Sequence, residues 1–381
     1  MSDRPAGRHE VGHSPADAMP PLPETPRRRR WQVSQQTITA VLSSVVFLVL
    51  ALVLALAPVP YTGWSPGSTV DLAGANANGA PAVQIQGLPT TPLNGELRLT
   101  TVSQTRVDSH VGLFEAMFNH AMPHRDVLPR KFIYPPGKST AEVKAKDLQL
   151  MTDAQADAVV AALRAAGQPV SELPMVVGVS LSGPAMNRLQ PGDMITKVDG
   201  RAVQTVNDIA TAVQAHRVGE PVVFTIERAG KAETVTVTSV AAPNNPQQPY
   251  IGFRLGVGYR YSPSISYGID PNIGGPSAGL MFALAIYDLI IEDDLLDGRK
   301  VAGTGGITPE GKVQPIGGIQ EKIRGAERAG AQVFLVPADN CKDLAGLTTR
   351  MELVKAATLR EAIGGLQKLK TSKDKTGVPR C

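Results

Sequence analysis

The chain has 381 residues, 43% of them apolar and 4% aromatic, with a formal net charge of +4. That apolar content suffices for two or three packed domains and excludes wholesale disorder, and so few aromatics disfavour a nucleic-acid stacking platform. Two cysteines, Cys341 and Cys381, exclude a disulfide-stapled miniprotein and a four-cysteine zinc site. Neither His-Glu-x-x-His nor Gly-x4-Gly-Lys-Ser/Thr occurs; at Gly137-Lys138-Ser139 the first glycine is replaced by Phe132.

Residues 1–36 hold six prolines before Arg27 and the run Arg27-Arg28-Arg29-Arg30, the composition of a disordered basic tail. Residues 37–57 follow with 21 positions and no charge. As a helix they span about 30 Å, the thickness of a bilayer's hydrocarbon core. A cleaved signal peptide is the competing reading, through Ala55-Leu56-Ala57, but the apolar stretch is long and Pro58 would follow the cut. No Lys or Arg recurs until Arg98, so the positive-inside tendency puts the tail in the cytoplasm and the rest outside. In an oxidising exterior Cys341 and Cys381 are able to pair.

Beyond the membrane, residues 58–167 form a first extracytoplasmic part. Glu96–Val102 alternates polar and apolar residues and reads as a strand. Thr152-Asp153-Ala154-Gln155 has capping-box spacing before an alanine-rich helix that Gly167 ends.

From Leu173 the pattern changes to short strands and tight turns. Val176–Leu181 reads as a strand, and Gly183-Pro184-Ala185 opens a short helix ending near Leu189. Met194–Val198 is a strand before the hairpin signal Asp199-Gly200, Val206–Ala215 is a helix, and a further hairpin reaches Val240. Gly183-Pro184-Ala185, Leu189-x-Pro191-Gly192-Asp193-x-Ile195 and Val198-Asp199-Gly200 together resemble a PDZ domain over residues 173–242. That resemblance implies capture of peptide ends by strand addition. Tyr250-Ile251-Gly252-Phe253 looks like a carboxylate-binding loop but lies after the last expected strand, so it is left out.

Residues 243–381 alternate strands and helices. Gly274-Gly275-Pro276-Ser277-Ala278-Gly279 leads into the apolar helix Leu280–Ile291. A helix start presents free N–H groups and the positive dipole end, which suit a developing oxyanion; the bland alternative makes Ser277 a simple N-cap. No histidine follows His216, so a Ser-His-Asp triad cannot be built within this segment, although His110, His120 or His124 could reach in. A nucleophilic Ser277 therefore points to a lysine base. Lys322 follows Pro315-Ile316-Gly317-Gly318, with Ile316, Ile319 and Ile323 able to supply an apolar setting; alone, it reads as a solvated helix lysine. To act near pH 7 it needs a pKa about 3 units below its usual 10.4.

The pair Gly275–Gly279 and Pro315–Lys322, with Thr304-Gly305 before Ile307, resembles the proteolytic domain of Lon-type proteases. The resemblance implies Ser277 as nucleophile, Lys322 as general base and Thr304 as the residue orienting the lysine, with no cofactor or metal. It extends upstream to residues 96–102 and the helix from Met151, which makes the PDZ segment an insertion in one discontinuous catalytic domain. The order of anchor, PDZ and protease is similar to membrane-bound PDZ–Lon proteins of Gram-positive bacteria. Gly274 and Gly306 stand where that family carries an aspartate and a glutamate.

The expected fold is thus an α/β (α+β) Lon-type domain with an inserted PDZ-like β-rich domain and one N-terminal transmembrane helix. The expected function is an ATP-independent, membrane-anchored serine endopeptidase acting on protein or peptide substrates selected by its PDZ insert. No nucleic acid is expected as a partner, and ring assembly in the family suggests a homo-oligomer. The alternative is an inactive PDZ-based scaffold of the cell envelope.

Overall fold

The computed structural model describes residues 34–75, 79–106, 108–122, 125–371 and 377–381. The basic run Arg27–Arg30 and nearly all of the expected tail lie outside the described residues. The chain divides into two units, residues 1–54 and 55–381. The first contains nearly all of helix α1 (Gln35–Leu56), 22 residues with exposed side chains and no acidic or basic residue in its end turns. It is long and apolar enough to cross a bilayer.

In the second unit the chain runs through β1 (Pro58–Val59), β2 (Tyr61–Asp71), β3 (Val83–Gln86), β4 (Glu96–Gln104), β5 (Val111–Gly112), α2 (Leu113–Ala121), β6 (Asp126–Pro129), α3 (Arg130–Ile133) and α4 (Thr140–Ala165). Helix α4 begins eleven residues before Met151. Ser139 caps it: its hydroxyl accepts from Glu142 N, and the Glu142 carboxylate accepts from Ser139 N. The Thr152-Asp153-Ala154-Gln155 match instead lies inside the helix, where Thr152 Oγ1 donates to the Leu148 carbonyl. Two capping boxes compete, and the outer one, just after the positive-φ Gly137, sets the start.

Next come β7 (Ser171–Val179), β8 (Met194–Val198), β9 (Arg201–Ala202), α5 (Val206–Gln214), β10 (Pro221–Arg228), β11 (Lys231–Thr238), β12 (Val240–Ala242), β13 (Asn245–Tyr250) and β14 (Phe253–Arg260). One sheet has the order β11-β10-β8-β7-β14 and its own core, in which Val176, Ile195, Phe224 and Ile209 are buried. Residues 183–189 form successive turns instead of the expected helix. Asn187 adopts φ 60°, which breaks helical continuity. At Asp199-Gly200 both φ angles are positive, as a tight hairpin requires.

The chain then returns through β15 (Ser264–Tyr267), which pairs with β3, to α6 (Gly279–Ile290), β16 (Lys300–Gly303), β17 (Gly306–Ile307), β18 (Val313–Gln314), α7 (Ile319–Arg328), β19 (Val333–Pro337), β20 (Glu352–Ala356) and α8 (Leu359–Thr371). A second six-stranded sheet has the order β20-β19-β16-β4-β2-β6. Strand β4, from before the PDZ-like segment, lies parallel to β16, from after it, with Leu97 opposite Val301. Alternate residues face opposite layers: Val301, Val333, Leu335 and Val354 join a core with α4, α6 and α8, whereas Ala302, Phe334 and Val336 join a second one with α7. Helix α6 is buried from Gly279 through Ile286, so its N-terminus is held firmly against the sheet. Cys341 and Cys381 form a disulfide with Cα atoms 5.1 Å apart.

Candidate active site

Ser277 occupies a 3-10 turn, Pro276–Ala278, that runs directly into α6. It is not a cap: Ala278 holds the N-cap position of α6, and no side chain caps that end. Among the described residues the Ser277 hydroxyl has no hydrogen-bond partner. Its carbonyl is bound twice, by Thr304 Oγ1 at 2.9 Å and by Gly305 N at 2.8 Å. Leu280 N in turn donates to the Gly305 carbonyl at 3.0 Å. The Thr304-Gly305 segment is therefore stitched to the beginning of α6.

Lys322 lies on the first turn of α7 with only 2% of its surface exposed. The entry to that helix depends on Gly318, whose φ of 69° is left-handed and where a Cβ would come within 2.9 Å of Val102. This close approach sinks the lysine between sheet and helix. Its Nζ donates to Thr304 Oγ1 at 2.9 Å. Burial alone lowers its pKa to about 7. Next to it, burial and the Asp126 carboxylate push the Glu321 carboxyl up.

Ser277 and Lys322 line one cleft of about 1030 Å3, with no hydrogen bond between their side chains. Trp64, Leu99, Val102 and Ala278 contribute apolar walls. Ile316, Ile319 and Ile323 pack in the α7 core with Phe334 and Val336. The histidines expected as possible outsiders do not line the cleft: His110 and His120 are exposed elsewhere, and His124 lies outside the described residues.

Asp147 and Trp64 are among the cleft residues that the sequence does not single out. Asp147, on α4, stands against Gly274, where a Cβ would meet Asp147 Cβ at 3.1 Å. Its carbonyl accepts from Gly275 N at 3.1 Å, and burial raises its carboxyl pKa. The other is Trp64, whose ring lies against Gly317 and Gly318 and whose Nε1 is buried with no partner among the described residues. At Gly306, a Cβ would meet Gln314 Cβ and Oε1 at 3.1 Å.

The sheet that contains β14 stands apart from this cleft, since none of its strands lines it. Tyr250-Ile251-Gly252-Phe253 leads into β14, which pairs along its length with β7. Tyr250 ends β13, which pairs with β12, and Phe253 opens β14, so the segment precedes the last strand of this sheet, contrary to the expectation that this strand had already passed. Gly252 and Gly183 are so close that a Cβ on Gly252 would lie 2.8 Å from Gly183 Cα. Strand β14 is the sheet's edge and packs beside α5.

Residues 267–364 match the Lon protease (S16) C-terminal proteolytic domain, and residues 158–238 match the PDZ domain. The chain thus carries a Lon-type proteolytic domain together with a PDZ domain. It is 41% identical over 96 residues to Lon protease 1 of Herpetosiphon aurantiacus, a match covering 21% of this chain and 12% of that protein. With the Lon protease of Desulforamulus reducens it shares 47% identity over 74 residues, covering 18% and 8% respectively. The PDZ domain of the SdrC-like protein from Listeria innocua is 24% identical, covering 22% of this chain and 92% of that one, with a TM-score of 0.21. The chain spans only a small part of the Lon proteases it matches.

Proposed function

We propose that this chain is a membrane-anchored serine endopeptidase that cuts peptide bonds with Ser277 as nucleophile and Lys322 as general base. One observation carries the reading: a lysine whose pKa burial lowers to about 7 is tied, through a single threonine hydroxyl, to the serine's own carbonyl. The Thr304 hydroxyl spends its proton on that carbonyl, so it meets Lys322 as an acceptor. A neutral amine satisfies this contact with one N–H and keeps its lone pair for the proton on Ser277 Oγ. Attack by Oγ places negative charge on the substrate oxygen near the start of α6, where the helix dipole is favourable. The ammonium then returns its proton to the leaving amine, and water repeats the sequence to release the acyl group. The missing Ser277–Lys322 hydrogen bond suits a site without substrate, since such contacts often tighten only on binding.

The 381 residues contain no Gly-x4-Gly-Lys-Ser/Thr motif, so the reading assigns them no ATP-driven step, and substrates are loosely folded or terminal segments. The edge strand β14, beside α5, supplies their selection by strand addition. The Cys341–Cys381 disulfide supports a catalytic domain outside the cytoplasm, beyond the α1 anchor in the cell membrane. An inert scaffold would have no use for a buried, uncompensated lysine that costs stability at neutral pH. The test is labelling by a fluorophosphonate probe and cleavage of casein. Wild-type protein is expected to show both and Ser277→Ala neither; equal behaviour of the two would leave the scaffold.

A further inference from the structure

Helix α2 is turned inside out for a water-soluble surface. Its inward residues are Ala116 and the polar Asn119, which accepts from Arg125 Nη1 at 2.8 Å. The stripe at helical spacing on the other side is Phe114, Met117 and Phe118, exposed by 69%, 63% and 45%. Met122 continues it at 40%, and on α3 Phe132 is exposed by 71%. Exposed large apolar side chains gathered on neighbouring helices in this way mark a contact surface.

The position of these helices identifies what covers them. Leu113 N donates to the Ala57 carbonyl at 3.1 Å, and β5 pairs with β1, Gly112 facing Pro58. Arg130 N, which opens α3, donates to the Pro60 carbonyl at 2.9 Å. Both apolar elements therefore hang from residues 57–60, which follow Leu56, the last residue of α1. Four residues reach at most about 14 Å, so this wall cannot leave the surface of a bilayer that α1 spans. Cationic residues accompany the patch. Arg125 stands 5.9 Å from the Phe118 ring and Lys131 5.4 Å from that of Phe132, while Glu115 is the acidic residue on α2.

From this juxtaposition we infer that α2 lies in the lipid–water interface, with Phe114, Met117 and Phe118 among the acyl chains and Arg125 and Lys131 at the headgroups. The inference rests on reading residues 35–56 as a membrane span. The full chain, reconstituted into phosphatidylcholine–phosphatidylglycerol nanodiscs doped with a diazirine-bearing phospholipid, is irradiated and its peptides mapped by mass spectrometry. Adducts are expected both in α1 and in residues 113–122. The variant Phe114→Ser/Met117→Ser/Phe118→Ser, which alters exposed side chains only, is expected to cut the adducts on α2 at least about fivefold with α1 labelling unchanged. Labelled α1 with unlabelled 113–122 overturns the inference while leaving the span intact. Unlabelled α1 overturns the span reading and the inference with it. A cross-link joining residues 113–122 to a second copy, in place of lipid adducts, also overturns it and makes the patch a subunit interface.

Discussion

Lys322 Nζ donates to Thr304 Oγ1 at 2.9 Å, and the same hydroxyl donates to the Ser277 carbonyl at 2.9 Å. One side chain thus links the buried amine to the backbone of the candidate nucleophile. Thr304→Val keeps the shape and removes the link, leaving a buried amine without its acceptor. The expected result is a loss of about 1–3 kcal/mol in urea unfolding and a fall in kcat with little change in KM. Thr304→Ser restores both. Full activity in the valine variant would show that the lysine is oriented by something else.

Burial sets the pH dependence of stability. Lys322 has a folded pKa of about 7 against 10.5 for the free side chain. Below pH 7 it is charged in both states and the whole burial penalty is present. Between pH 7 and 10.5 the unfolded chain binds the extra proton, so stability rises with pH across that window. Lys322→Met removes the penalty and is expected to stabilise the fold by up to about 5 kcal/mol at pH 6, with the gain shrinking toward pH 10. Urea titrations at the two pH values check this; a gain independent of pH would contradict it.

The disulfide between Cys341 and Cys381 closes a separation of 40 residues. It ties down the C-terminus, where Lys355 N also donates to the Pro379 carbonyl at 2.9 Å. Cys381→Ser is expected to cost about 4 kcal/mol on the loop-entropy estimate. Reductant should lower the wild-type unfolding midpoint to that of the variant and leave the variant unchanged. A midpoint insensitive to both would mean that the bridge carries no stability.

Strand β14 changes how the PDZ-like segment must be removed. An excision of residues 173–242 would leave β14 without β7, whereas Ser171 and Arg260 face each other in the sheet. Replacing residues 171–260 with a short Gly-Ser bridge therefore joins two neighbouring points. Cleavage of casein is expected to fall more than cleavage of short peptides. Equal losses would make the insert a structural element without a part in selection.

What the sequence revealed of the site depended on where its residues came from. Ser277, Thr304 and Lys322 sit in glycine-flanked stretches, and glycine there reflects close approach of backbones, as at Gly318. Asp147 and Trp64 come from α4 and β2, more than 100 residues before Ser277; β2 reaches the cleft through its pairing with β4, which lies beside β16, and α4 through its packing on α6. The α4 start was legible in Ser139-x-x-Glu142, yet a second match at Thr152 masked it. The Asn187 turn had no local signal strong enough to outweigh a helix after Gly183-Pro184.

Lys322→Arg tests the account most directly. Arginine keeps the positive charge and similar length, but it does not lose its proton at accessible pH and so cannot serve as a base. The measurement is peptidase turnover against pH for wild type and variant, with folding checked by circular dichroism. The account predicts a wild-type rate that rises with pH through an apparent pKa near 7, and a folded variant with no turnover at any pH. A folded Lys322→Arg protein retaining about a tenth of the wild-type rate, a loss of only about 1.4 kcal/mol, would contradict it.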